Sequence, residues 1–115
     1  MSEGGQHINL WDKVMLGDDQ VKSLMISYPW VARAVNDTQR YEGNSSIRTA
    51  VEKDEKYGWI VFPTIRKGED GLLNELPLSQ AWSLALKNQD FISVPSYEAG
   101  EYLSRGLSNW QGKGK

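Results

Sequence analysis

The stretch Trp59-Ile60-Val61-Phe62-Pro63-Thr64-Ile65 decides the fold class. It is rich in aromatic and β-branched side chains, the types that fit a pleated, half-buried strand. Upstream, Ile47, Thr49 and Val51 alternate with Arg48, Ala50 and Glu52, a period of two, and residues 54–58 between the two runs carry turn residues. The pair reads as an antiparallel β-hairpin. Pro63 has no N–H to give a ladder, so its place is at an edge or near the end of its strand.

Downstream the period changes. Lys67-Gly68-Glu69-Asp70-Gly71 is a charged, glycine-punctuated loop, and Leu72, Leu73 and Leu76 return the chain to the core. Leu78, Ala81, Trp82, Ala85 and Leu86 fall at i, i+3, i+4, i+7 and i+8, one apolar stripe of a helix capped by Ser79 and ending near Asp90. Phe91, Ile92 and Val94 are candidates for a short third strand. Ser96 then caps a last helix with Glu98 in its first turn, where negative charge suits the helix dipole, and Ala99, Tyr102, Leu103 and Leu107 form its apolar face. Glu101 and Arg105 pair at i, i+4 on its polar side. With the two C-terminal helices laid over the hairpin, Trp59, Phe62, Ile65, Trp82 and Tyr102 are expected to share one core.

Ahead of the hairpin the spacing is helical. Trp11, Val14 and Met15 stand at i, i+3 and i+4 before Gly17. Asp18 or Asp19 is placed to cap a second helix carrying Val21, Leu24, Met25 and Tyr28, and Pro29 is suited to the first position of a third with Trp30, Val31, Ala34 and Val35. The expected fold is therefore α+β, a small antiparallel sheet of two or three strands covered by two C-terminal helices and preceded by short N-terminal ones. Along the chain this gives a flexible lead-in (1–9), a helical arm (10–40), an α+β module (41–108) and a frayed tail (109–115) partly held by Trp110.

Composition sets the outer bounds. The 115 residues suffice for one modest core. Thirteen basic and fifteen acidic side chains leave a formal charge of −2, far from a strongly basic nucleic-acid binder or a heavily acidic DNA mimic. The longest apolar runs are a few residues, so no membrane span or signal peptide is expected. Asn36-Asp37-Thr38 and Asn44-Ser45-Ser46 are read as turn chemistry. With no cysteine there is no disulfide, thiolate zinc site or cysteine nucleophile.

Catalytic constellations are equally sparse. Serine–histidine chemistry needs an imidazole, and His7, the only one, lies in the lead-in. Asp18 and Asp19 are explained by helix capping. Glu98 and Glu101 share one helix and do not face each other across a cleft, as glycoside hydrolysis would require. Gly106 ahead of Gly112-Lys113 has the wrong spacing for a phosphate loop and no serine or threonine after the lysine. Residues 32–67 interleave seven basic and five acidic side chains with Tyr41, Tyr57, Trp59 and Phe62. A local excess of two charges is too small for strand binding, and nucleic acid is disfavoured as a partner. No catalytic, cofactor or metal residue is expected. Partner contacts are assigned instead to Trp11, Met15, Met25, Tyr28, Trp30 and Trp110, aromatic and methionine side chains on amphipathic helices or at the exposed tail.

From Tyr41 onward the order of residues resembles a small module that recurs in proteins of tailed bacteriophages and prophages. There it is often embedded in very long virion polypeptides, some of which carry peptidoglycan-cleaving domains. The resemblance rests on Gly43-Asn44-Ser45-Ser46-Ile47-Arg48-Thr49, the stretch from Trp59 already quoted, Leu78-Ser79-Gln80-Ala81-Trp82 with Ala85, and Phe91-Ile92-Ser93-Val94-Pro95-Ser96-Tyr97-Glu98-Ala99-Gly100-Glu101-Tyr102. It implies a non-catalytic structural or accessory protein of a phage particle, located in the virion or the host cytoplasm. Its partners would be other virion proteins or further copies of itself. Two alternatives are a phage-encoded inhibitor of a host enzyme or defence complex and, more weakly, an accessory domain of a peptidoglycan-degrading virion enzyme.

Overall fold

A computed structural model describes residues 16–37, 39 and 47–113. The architecture is α+β, as expected. In chain order the elements are α1 (Asp18–Ser27), α2 (Pro29–Asn36), β1 (Thr49–Asp54), β2 (Gly58–Pro63), β3 (Ile65–Lys67), β4 (Leu73–Glu75), α3 (Leu78–Asn88), β5 (Ile92–Val94) and α4 (Tyr97–Lys113). Trp11, Val14 and Met15, the turn candidate Asn44-Ser45-Ser46 and the lead-in lie outside the described residues.

β2 is the centre of a three-stranded antiparallel sheet of order β1-β2-β5, with Val51 opposite Val61 and Val61 opposite Ile92. The third strand is thus present. Both faces of β2 are covered, which is why Ile60, Val61 and Phe62 form a continuous apolar run that is wholly buried. Pro63 sits at the end of the strand, beyond the last residue that β5 reaches. The ladder there is completed by Thr64, whose N–H donates to the Arg48 carbonyl at 2.8 Å.

Alternation along β2 separates two cores. Ile60 and Phe62 face α3, where they pack with Ala81 and Ala85, and the Phe62 and Trp82 rings stack with centroids 6.3 Å apart. Val61 and Ile92 face the other way, into a cluster with Leu107 of α4, Val21 of α1, Trp30 and Val31 of α2, and Leu16 and Ile47. The expected single core is therefore corrected. The two C-terminal helices lie on opposite faces, so Trp59, whose ring meets Tyr97 edge-on at 5.4 Å, is divided by the sheet from Phe62 and Trp82. Tyr102 belongs to neither core and is 44% exposed.

Close approach of α4 to its neighbours depends on two glycines, Gly100 against the sheet and Gly106 against Leu16 ahead of α1. A Cβ at Gly100 would lie 2.5 Å from Val51 Cγ1, and one at Gly106 would lie 2.6 Å from Leu16 Cγ. Helix α4 continues through Lys113, well into the stretch 109–115 that was expected to fray. Leu107 is buried, and Trp110 packs against the core while its Nε1–H donates to Asp18 Oδ1 at 2.9 Å, holding the last turns to the start of α1.

Caps differ in detail from the expectation. Gly17 is the N-cap of α1 and donates its N–H to Gln20 Oε1 at 2.8 Å, leaving Asp18 and Asp19 in the first turn, where they favour the dipole. Pro77, not Ser79, precedes α3. Ser96 caps α4 as expected, its Oγ accepting from the Ala99 N–H at 3.1 Å.

A second, two-stranded sheet of β3 and β4 was not anticipated. Its turn uses Gly71 at φ +80°, a conformation open to glycine. Leu72 at the tip is 59% exposed, so it does not return to the core. Gln39 holds the hairpin by donating to the Gly71 carbonyl and accepting from the Leu73 N–H. Farther along, Asp90 Oδ2 receives Arg66 Nη1 of β3 at 2.8 Å and Arg33 Nη2 of α2 at 3.4 Å, tying three separate elements together.

Candidate interaction surface

Four of the six side chains assigned to partner contacts are within the described residues, and all four serve the protein's own core. Met25 and Tyr28 are half-buried against the cluster around Val61, and Trp110 packs there as well. Trp30, assigned to partner contact, is only 3% exposed. Pro29 starts α2 immediately before it, so the first turn of the helix lays the indole onto the sheet, where its large apolar area is best spent. Trp11 and Met15 are outside the described residues.

The open apolar surface lies beside them. Leu16, Leu24 and Leu103 floor a groove of about 340 Å³ between α1 and α4, with Gln20, Ser23, Ser27 and Tyr102 on its walls. Every described side chain lining it is uncharged. Leu24 and Leu103 are half-buried, and Tyr102 stands at the rim. An apolar floor inside a polar rim is the arrangement in which a partner's aliphatic or aromatic side chain leaves water while polar groups stay hydrated.

One turn away, Tyr97 is 45% exposed, and its hydroxyl hydrogen-bonds Glu101. That bond, together with the negative charge of the same carboxylate, raises the Tyr97 pKa above the usual 10.0. Glu101 also pairs with Arg105 at 3.5 Å. This strip of α4 is therefore polar and networked, whereas the groove beside Tyr102 is not.

Reading the chain alone missed the groove for a geometric reason. Tyr102 and Leu103 are successive residues about 100° apart on a helix, so both cannot point at the same core. The periodic pattern assigned both inward, yet only the floor position is shielded. The useful signal was that adjacency.

Among the described residues no group of three histidine, cysteine, aspartate or glutamate side chains is placed to hold a metal ion, and no helix is long and apolar enough to cross a membrane. No protein-family model, no curated protein and no solved structure matches this chain.

Proposed function

We propose that this chain acts by contact with other polypeptides, as a small structural or accessory protein of a bacteriophage particle. The observation that carries the contact reading is the uncharged groove between α1 and α4, with Leu16, Leu24 and Leu103 below and Tyr102 at its edge. A groove of this shape binds a partner's apolar side chain by the same burial that builds the protein's own core. The phage assignment rests on the resemblance of the ordered motifs between residues 41 and 102. Repetition in a symmetric particle lets so small a contact act through avidity.

Mass spectrometry of purified particles tests the assignment. The chain should be present in them at a fixed ratio to the major structural proteins. Its consistent absence, combined with recovery of a single stoichiometric host protein on the purified chain, would replace the structural role by host-directed inhibition.

A further inference from the structure

A second concavity lies away from the groove, between α2 and the β3–β4 hairpin, and shares no lining residue with it. It encloses about 560 Å³ and is walled by Trp30, Ala34, Pro63, Ile65 and Leu73, with Arg33, Arg66 and Lys67 among its polar groups. That volume and that mixture of apolar walls with a few converging charges are those of a small-molecule pocket.

Among the described residues its charges are not balanced: Arg33, Arg66 and Lys67 face Asp90 and Asp37, three cations against two carboxylates. Lys67 Nζ lies 3.1 Å from Asp37 Oδ2, and Asp90 takes Arg33 and Arg66. Arg66 is the deepest cation, its side chain 18% exposed. Only its Nη1 is engaged, by Asp90 at 2.8 Å. Its Nε and Nη2 are buried with no hydrogen-bond partner, and so is the indole Nε1 of Trp30, another residue that lines the cleft. Nε–H and Nη2–H project from one edge of a guanidinium and form the fork that receives two oxygens of a carboxylate or phosphate. Buried donors left empty are costly, so a guanidinium edge with two of them calls for an acceptor.

We infer that this cleft binds a small molecule made of an oxyanion head, carboxylate or phosphate, and an apolar body. The head pairs with the free edge of Arg66, and the body lies along Trp30, Ile65 and Leu73. Neither Arg66 nitrogen is open to solvent, so entry requires a side chain to move. Arg33 has the loosest hold, with both contacts to Asp90 at 3.4 Å and a side chain 63% exposed. Its departure leaves Asp90 still paired with Arg66. The inference does not depend on the protein-contact proposal, and either can fail without the other.

Phenyl phosphate, benzoate, inorganic phosphate and phenol serve as probes for nitrogen-15 NMR, which reads the Arg66 Nε–H and Trp30 Nε1–H signals, and for calorimetry. Phenyl phosphate or benzoate should shift both signals at roughly millimolar concentration, and whichever binds tighter identifies the head group. Inorganic phosphate should bind more weakly for want of a body, and phenol should not shift the Arg66 signal. Arg66→Lys keeps a charge beside Asp90 but removes the fork, and should weaken binding roughly tenfold or more. Lys22→Gln, exposed on α1 and outside the cleft lining, provides a folded variant in which both signals still respond. Unshifted signals in the wild-type protein, equal shifts with phenol, or undiminished affinity in a folded Arg66→Lys protein would each overturn the inference.

Discussion

Replacing Gly100 with alanine sets two effects of opposite sign against each other. In an unpacked helix the change is stabilising by about 1 kcal/mol, because alanine loses less backbone freedom. Here the new methyl would stand 2.5 Å from Val51 Cγ1, 3.3 Å from Val51 Cγ2 and 3.4 Å from Val94 Cγ2. Val51 is β-branched, so its two methyls cannot both rotate clear, and Val94 closes the other side. Either the valine leaves its rotamer or α4 lifts from the sheet. Such overpacking costs about 1–3 kcal/mol. Since the helix gain offsets about 1 kcal/mol of it, the net loss should reach up to about 2 kcal/mol, or up to roughly 8 °C in Tm for a chain of this length. Urea denaturation followed by circular dichroism measures it. The double variant with Val51→Ala should recover part of the loss, giving a coupling of at least about 0.5 kcal/mol in a double-mutant cycle. A Gly100→Ala protein more stable than wild type would show that α4 does not lie on β1 and β5 as described.

Three other outcomes follow from named contacts. Ser96→Ala removes the acceptor of the Ala99 N–H at 3.1 Å and should lower stability by about 1 kcal/mol in the same urea assay. Asp90→Asn strips the shared carboxylate from Arg33 and Arg66 and should cost about 2 kcal/mol, with the loss shrinking little at high salt because the Arg66 pair is largely shielded from water. Tyr97 should titrate above 10.0, since deprotonation breaks its bond to Glu101 and puts two negative charges side by side. NMR titration of the ring carbons should therefore show Glu101→Gln returning it toward the ordinary value.

The hairpin was legible because β1 alternates and β2 combines a dense apolar run with turn residues on its near side. The same run, read as a half-buried strand, is in fact buried on both faces. Its consequence, two cores in place of one, was hidden because Trp59 and Phe62 are an odd number of residues apart and so point to opposite sides of a strand. The β3–β4 hairpin escaped notice because three-residue strands such as Leu73-Asn74-Glu75 are too short to express a period. Trp30 and Met25 were legible as helix-face residues, but a stripe looks alike whether it packs on its own sheet or on a neighbour. Arg33, Arg66 and Asp90 had no signal at all. They are 57 and 24 residues from the shared carboxylate, and only the packing of α2 beside β3 and the end of α3 gathers them.

Photo-cross-linking from the position of Tyr102 tests most directly whether the α1–α4 groove is where this chain meets its partner. Benzoyl-phenylalanine at Tyr102, compared with the same group at Glu55, exposed in the β1–β2 turn, would be irradiated in cells producing the proposed particle and the products identified by mass spectrometry. The groove position should join the chain to one particle protein or to a second copy of itself, and the Glu55 position should not. Equal capture from both positions, or capture of particle proteins from Glu55 alone, would contradict the assignment of function to this groove.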